Sequence, residues 1–255
     1  MAAFPGERSC NGGASLISRM VVRGVIFDLD GTLVDSNDLH TESWQETFRH
    51  FGKEIPYQKL RQQIGKGGDQ YLPEFLTEAE LREIGPDMEK FRGELFQEKY
   101  LERVQPFPKV RELFERLRRD GKRIALASSG NAKEIAHYVK LLEIGDLIEA
   151  QTNKSDVEHS KPHPDVFISA LNLLHLQPQD AIVVGDTPYD AEAGLEAGTK
   201  VAGVLTGGFA AKVLLQAGCF AVARNLRELS PHLEFGKANT EGLFTPDNLP
   251  TLRTA

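Results

Sequence analysis

Hydrophobic positions along the chain follow two different periods. Val25-Ile26-Phe27 is an unbroken apolar run of β-branched and aromatic residues, which predicts a strand buried on both faces of a parallel sheet. Runs of the same kind recur at Ile124–Ala127, Ala181–Val184, Val201–Leu205 and Cys219–Ala223, with a shorter one at Leu147–Ala150. Between them the apolar residues space as helices. One stripe is Val110, Leu113, Phe114 and Leu117, ending at Gly121; others are Ile135, Val139 and Leu142, then Val166, Phe167, Ala170, Leu171 and Leu174. A further helix runs through Ala197 and stops at Gly198. Such alternation specifies an α/β fold, a doubly wound parallel sheet with helices on both faces. Ligands of such sheets sit beyond the carboxyl ends of the strands.

Residues 36–104 break the alternation. Leu39, Trp44, Phe48 and Phe51 share a helical face from Ser36 to about Gly52, and no strand pattern follows before residue 105. Gly65-Lys66-Gly67-Gly68 forms a loop, and Asp69 is placed to cap a helix carrying Tyr71, Leu72 and Phe75. Thr77-Glu78-Ala79-Glu80 reads as a capping box, and Pro86 as the first residue of another helix with Phe91, Leu95 and Leu101. The organisation expected is a core of residues 21–35 and 105–236, with a small helical cap domain at 36–104 inserted into it. Residues 1–20 read as a disordered leader, with Met20 as a second possible start, and residues 237–255 as a surface tail.

Composition narrows the classes. A chain of 255 residues with 40% hydrophobic and 26% charged residues is an ordinary globular protein. The formal net charge of −7 argues against a general nucleic-acid binder. No apolar run is long enough to span a bilayer, and no signal peptide is visible at the start. Two cysteines, Cys10 and Cys219, make no disulfide framework, so a reducing cytoplasm is expected; a monomer is expected as well.

The candidate chemistry falls at the predicted strand ends. After Phe27 come Asp28-Leu29-Asp30-Gly31-Thr32, and a core strand has no structural use for two carboxylates. Gly31 permits a sharp turn, and Thr32 or Ser36 can satisfy free backbone donors. Two close carboxylates need a cation or a shared proton, and oxygen ligands of this type suit Mg²⁺. A carboxylate can also act as a nucleophile and become an aspartyl-phosphate. Ser128-Ser129-Gly130-Asn131 offers a hydroxyl and backbone amides after the second long strand, either for phosphate oxygens or simply to cap a helix. Lys161 lies between Ser160 and Pro162, held stiffly before a helix; Asp186 follows a strongly apolar strand, and Asp190 stands where an N-cap is equally natural. His40, one helical turn before Trp44, reads as a structural residue, as do His159 and His163.

Taken in order, these four strings resemble the motifs of the haloacid dehalogenase-like superfamily of phosphatases and phosphotransferases, and the resemblance covers most of the chain. It implies a Mg²⁺-dependent phosphomonoester hydrolase acting on a small phosphorylated metabolite. Asp28 would be the nucleophile and Asp30 the acid–base. Ser128, Ser129, Asn131 and Lys161 would bind the phosphoryl group. Asp28, the backbone carbonyl of Asp30, and Asp186 would hold the metal, with Asp190 in support. In the helical cap group the loop at Gly65–Gly68 meets the substrate, which makes Lys66, Gln70 and Tyr71 its recognition groups and gives His40 a place at the cap. A sugar-phosphate mutase of the same group is the nearest rival and fits His40 and Trp44. Mutases of the group, however, carry Arg in the cap loop, where this chain has Gly67 and Gly68, and Glu before the metal-binding Asp, where it has Gly185. A true dehalogenase lacks the second Asp. A signalling receiver domain shares the acidic pocket but has neither Asp30 nor a helical insert.

Overall fold

The computed structural model describes residues 22–233, 240 and 242–248. Six parallel strands form the main sheet: β1 (Gly24–Phe27), β4 (Arg123–Ala127), β5 (Ala150–Thr152), β6 (Ala181–Gly185), β7 (Lys200–Val204) and β8 (Ala221–Ala223), in the order β5-β4-β1-β6-β7-β8. β1 therefore lies between β4 and β6, and its chain continues into Asp28 beside Val184, whose carbonyl accepts from the Asp28 N–H at 2.9 Å.

Strand residues alternate faces, and each face has its own core. Val25, Phe27, Ile124, Leu126, Ile182 and Val184 pack against Leu113, Phe114 and Leu117 of α5 (Val110–Arg119) and Ile135 and Tyr138 of α6 (Ala132–Leu141). Ile26, Ala125, Ala127, Val183 and Val201 pack on the other side against α7 (Asp165–Leu173), Ala191 and Ala193 of α8 (Pro188–Glu196), and Leu214 of α9 (Ala211–Gln216). This is the doubly wound arrangement that the alternating pattern implies.

Between β1 and the rest of the sheet, β2 (Val34–Asp35) and β3 (Gln105–Pro106) pair antiparallel and bracket the helical insert. The insert contains α1 (Asn37–His50), α2 (Tyr57–Gln62), α3 (Gly68–Tyr71) and α4 (Glu78–Leu95). It has its own apolar centre of Trp44, Phe48, Leu60, Tyr71, Leu72 and Met88. The capping box at Thr77 and Glu80 is present and starts α4.

Three sequence expectations fail in this region. Pro86 does not open a helix but lies inside α4 on its exposed face, because the capping box already begins the helix and the burial of Met88 continues it. An internal proline costs ~3 kcal/mol, which that packing must offset. Asp69 caps nothing: α3 has Gly67 before it, and the Asp69 carboxylate accepts from the Ser160 N–H at 3.0 Å. Tyr71 is fully buried, stacked on Trp44 with centroids 4.6 Å apart, so it is core and not a recognition group.

The expected leader, residues 1–20, lies outside the described residues, as does most of 237–255. The described part of that tail is not simply surface: Leu243 is buried, and Phe244 bridges Val222 of β8. No helix among the described residues is long and apolar enough to cross a membrane.

Candidate active site

The carboxyl ends of β1, β4 and β6 bring the four sequence strings together. Asp28 and Lys161, 133 residues apart, form a buried ion pair, and the Lys161 ammonium donates a second bond to Asp190 Oδ1 at 2.7 Å. Asp190 Oδ2 accepts from the Thr187 N–H at 3.0 Å and the Thr187 hydroxyl at 2.7 Å. Thr187 is thus the cap of α8, and Asp190 is its third residue rather than the cap. Asp186 is held on both oxygens, by the Thr32 hydroxyl and the Asn37 amide, each at 2.8 Å. Thr32 therefore serves a carboxylate, not a backbone donor. Gly31 takes φ of +78°, and a Cβ there would stand 2.3 Å from Asp186 Oδ2; only glycine permits both the turn and this approach.

Asp28, Asp186 and Asp190 offer oxygens that all lie within 4.8 Å of one another, and all three residues are buried. Burial raises the Asp28 carboxyl well above its ordinary value, Lys161 opposes this, and the neighbouring Asp190, Asp186 and Asp30 add to it. Burial, and then Asp190, push Asp186 up to about 7 against the hydrogen bonds of Thr32 and Asn37. Lys161 moves the other way from a buried lysine: burial favours its neutral form, but Asp190 and Asp28 raise it above its usual value. Three carboxylates against one lysine leave a deficit of positive charge, and the ligands are all hard oxygens. The group fits a small divalent cation.

Asp30 stands apart from that group. Its Oδ1 accepts from the Ser36 hydroxyl at 2.6 Å and lies 2.7 Å from His40 Nε2. The other ring nitrogen, Nδ1, meets the Arg92 guanidinium of α4. His40 thus bridges Asp30 and Arg92. Burial works against ionisation of Asp30, yet His40, Ser36 and Arg92 hold its carboxyl down at about 2. His40 also stacks on Phe96 at 4.1 Å. It is packed as a structural residue and also contacts the Asp30 carboxylate. Of the expected metal ligands, Asp30 can contribute only its backbone carbonyl, because its carboxylate is engaged elsewhere.

The cavity above these groups is lined by Asp28, Asp30, His40, Trp44, Gly65–Gly68, Arg92, Ser129, Gly130, Glu134 and Lys161. Ser129 is among the lining residues, and its Oγ is buried without a hydrogen-bond partner. Ser128 is buried, with Oγ accepting from the Gly130 N–H at 3.0 Å. Asn131 caps α6: its Oδ1 takes the N–H groups of Lys133 and Glu134, each at 3.0 Å. Lys66 reaches the cavity wall but pairs with Glu74 at 2.5 Å and lies over the Tyr189 ring.

Sequence reasoning missed Asn37, Arg92 and Glu134. Arg92 had a signal, since it lies four residues from both Met88 and Phe96 and so shares their buried face. A cation on an apolar face asks for a partner. Glu134 had the spacing of a cap partner to Asn131 and nothing more.

Comparison with known proteins agrees with this geometry. A relative, the pyrophosphatase PpaX of Bacillus thuringiensis, is 28% identical over 185 residues, which is 72% of this chain and 84% of PpaX. A hydrolase from Pseudomonas syringae superposes with a TM-score of 0.76 at 25% identity, over 83% of this chain and 97% of that one. A Bacteroides vulgatus protein provisionally assigned as a beta-phosphoglucomutase gives 0.72 at 22% identity, over 85% and 89%. The family model for haloacid dehalogenase-like hydrolases matches residues 25–204, and the chain belongs to that family of enzymes.

Proposed function

We propose that this chain is a Mg²⁺-dependent phosphomonoester hydrolase that works through an aspartyl-phosphate on Asp28. The observation that carries the reading is the division of labour between two neighbouring carboxylates. Asp28 is paired with a buried lysine inside a cation-ready acid cluster, while Asp30 is held outside it as a base.

In the first half-reaction an Asp28 oxygen attacks phosphorus and the bond to the ester oxygen breaks. Lys161 neutralises charge on Asp28 and on the transferring oxygens, and the Ser128 hydroxyl and the Ser129 backbone amide would bind the phosphoryl group, because the Gly130 amide is bonded to Ser128 and Asn131 is spent as the cap of α6. The leaving oxygen takes a proton from Asp30. In the second half-reaction Asp30 removes a proton from water, whose oxygen attacks phosphorus and breaks the bond to Asp28. The arrangement seen serves the second step, because the bonds from Ser36 and His40 favour the carboxylate. To act as an acid, Asp30 must first be released from His40. Mg²⁺ held by Asp28, Asp186 and the Asp30 carbonyl, with Asp190 in support, would screen the negative charge that gathers there.

Residues 36–104 would act as a cap. The cavity beneath them is about 70 Å³ and partly open, less than a phosphorylated metabolite fills, so the insert would shift to admit a substrate and close over it. Cys219 is a free, buried thiol, in keeping with a reducing cytoplasm.

The mutase reading is supported by the Bacteroides vulgatus likeness and by His40 and Trp44 in the cavity wall. Against it, a Cβ on Gly185 would stand 2.4 Å from Asp190 Cβ, so the Glu of mutases has no room here. The test is phosphate trapping with a substrate whose leaving group needs no proton. Asp30→Asn should accumulate acid-stable phosphate mapped to Asp28 by mass spectrometry, and Asp28→Asn should trap none. Label on another residue would sink the mechanism.

A further inference from the structure

Glu134, in the first turn of α6, is a charged group of the cavity that the proposed chemistry does not use. Its side chain is 1% exposed. Oε1 accepts from the Asn131 amide at 2.8 Å and lies 3.8 Å from the Arg92 guanidinium, whereas Oε2 is buried with no hydrogen-bond partner. A buried carboxylate oxygen without a donor costs ~1–3 kcal/mol or more, a cost that a bound donor would remove. The direction of that oxygen follows from Gly130. A carbon placed on its Cα would lie 3.1 Å from Glu134 Oε2, 3.1 Å from Ser128 Oγ and 4.0 Å from Asp30 Oδ2. Glu134 Oε2 therefore shares one small space with Asp30, the group that faces the leaving oxygen. Ser129 Oγ, also unpartnered, lines the same cavity.

We propose that Glu134, with Ser129, is the specificity-determining subsite for the leaving group, and that it reads a hydroxyl on the carbon next to the ester carbon. The inference rests on the hydrolase reading and adds the substrate class to it: phosphate esters of polyhydroxy compounds. A hydroxyl donates to Glu134 Oε2 and exchanges bonds with Ser129 Oγ. A carboxylate or a second phosphate in that place meets an acceptor with no proton between them, so phosphoglycolate and pyrophosphate are disfavoured. Arg92 does not reverse this, because its guanidinium is engaged by His40 and Ser43 on one side and Glu134 on the other.

The matched probes are glycerol 3-phosphate and 2-phosphoglycolate, which place a hydroxyl-bearing carbon and a carboxylate at the same position. The wild-type chain with Mg²⁺ should show kcat/KM at least about tenfold higher for glycerol 3-phosphate. In Glu134→Gln the Asn131 amide keeps the carbonyl oxygen at Oε1, which puts an NH₂ donor where Oε2 stood. The ratio of the two kcat/KM values should then fall about tenfold or more, and Ser129→Ala should lower it by about threefold. A ratio unchanged in Glu134→Gln, or an equal loss on both substrates, would reduce the residue to a helix cap and overturn the proposal. So would a wild type that prefers phosphoglycolate. If Glu134→Gln fails to fold, Ser129→Ala decides by the same ratio. Calorimetric titration of both phosphates into the Mg²⁺-loaded Asp28→Asn variant reads the preference without turnover. A chain that hydrolyses neither yet binds glycerol 3-phosphate more tightly would end the hydrolase reading and keep this one, and tighter phosphoglycolate would end this one.

Discussion

The floor and the roof of the cavity are held in different ways. On the floor, at the carboxyl ends of β1 and β6, each carboxylate is fixed by side chains distant in sequence: Asp28 and Asp190 by Lys161, and Asp186 by Thr32 and by Asn37 at the start of α1. On the roof, the insert packs an aromatic centre of its own, its Leu39, Phe96 and Tyr100 join the main core, and polar contacts tie it down as well. Tyr189 donates to the Gln62 carbonyl at 2.8 Å, the Ser160 N–H to Asp69 at 3.0 Å, and Arg61 to the Gly207 carbonyl; Lys154 pairs with Glu89. A floor of buried, cross-bonded carboxylates suits chemistry that tolerates little displacement, and an insert with its own core is expected to keep its shape when single contacts at the seam are removed.

Breaking the floor should have the largest effect. Lys161→Met leaves Asp28 and Asp190 buried without their cation, so kcat/KM should fall by about a hundredfold or more and stability by roughly 3–5 kcal/mol. Unchanged kinetics would return Lys161 to a packing role. Next comes the roof's centre. Tyr71→Ala removes a fully buried ring and should cost ~3–5 kcal/mol by denaturant melts without reordering substrates. A reordering would mean that Tyr71 does reach the ligand.

Metal and pH sharpen the contrast at an intermediate scale. Asp186 is raised to about 7, so without a cation its protonated form stabilises the fold at low pH, and that stability is lost as pH rises through about 7. A divalent cation favours the ionised form. The gain in Tm on adding Mg²⁺ should therefore be larger at pH 8 than at pH 6, by a few degrees for roughly 1–2 kcal/mol. Equal gains at both pH values would place the cation elsewhere. Asp30 behaves oppositely: held at about 2, it contributes stability above its unfolded value that is lost as pH falls toward 2.

The smallest effect is expected at the seam between the two. Tyr189→Phe removes two hydrogen bonds to Gln62 and Gln63, worth ~1 kcal/mol, and should speed amide exchange in residues 61–68 with stability of the sheet unchanged. Exchange that stays as slow as in the wild type would show that these bonds do not hold the insert down.

Much of this was legible from residues near one another. The strand runs, the stripe of α5, the capping box of α4 and the string from Asp28 to Thr32 each depend on periods of two or 3.6 residues, which a chain carries locally. The family resemblance supplied Lys161, Asp186 and Asp190, which spacing by itself leaves as surface lysine, strand-end acid and cap. Where local rules failed, they did so because packing outweighed them, as with Pro86 on the exposed side of a helix anchored by Met88. Tertiary structure alone decided which groups meet: the Lys161–Asp28 pair, Arg92 against His40, and the unpartnered Glu134 oxygen beside Asp30. Sequence can mark a residue as able to donate or accept, but burial and the direction of each bond set its charge and its role. Both of those are properties of the folded neighbourhood.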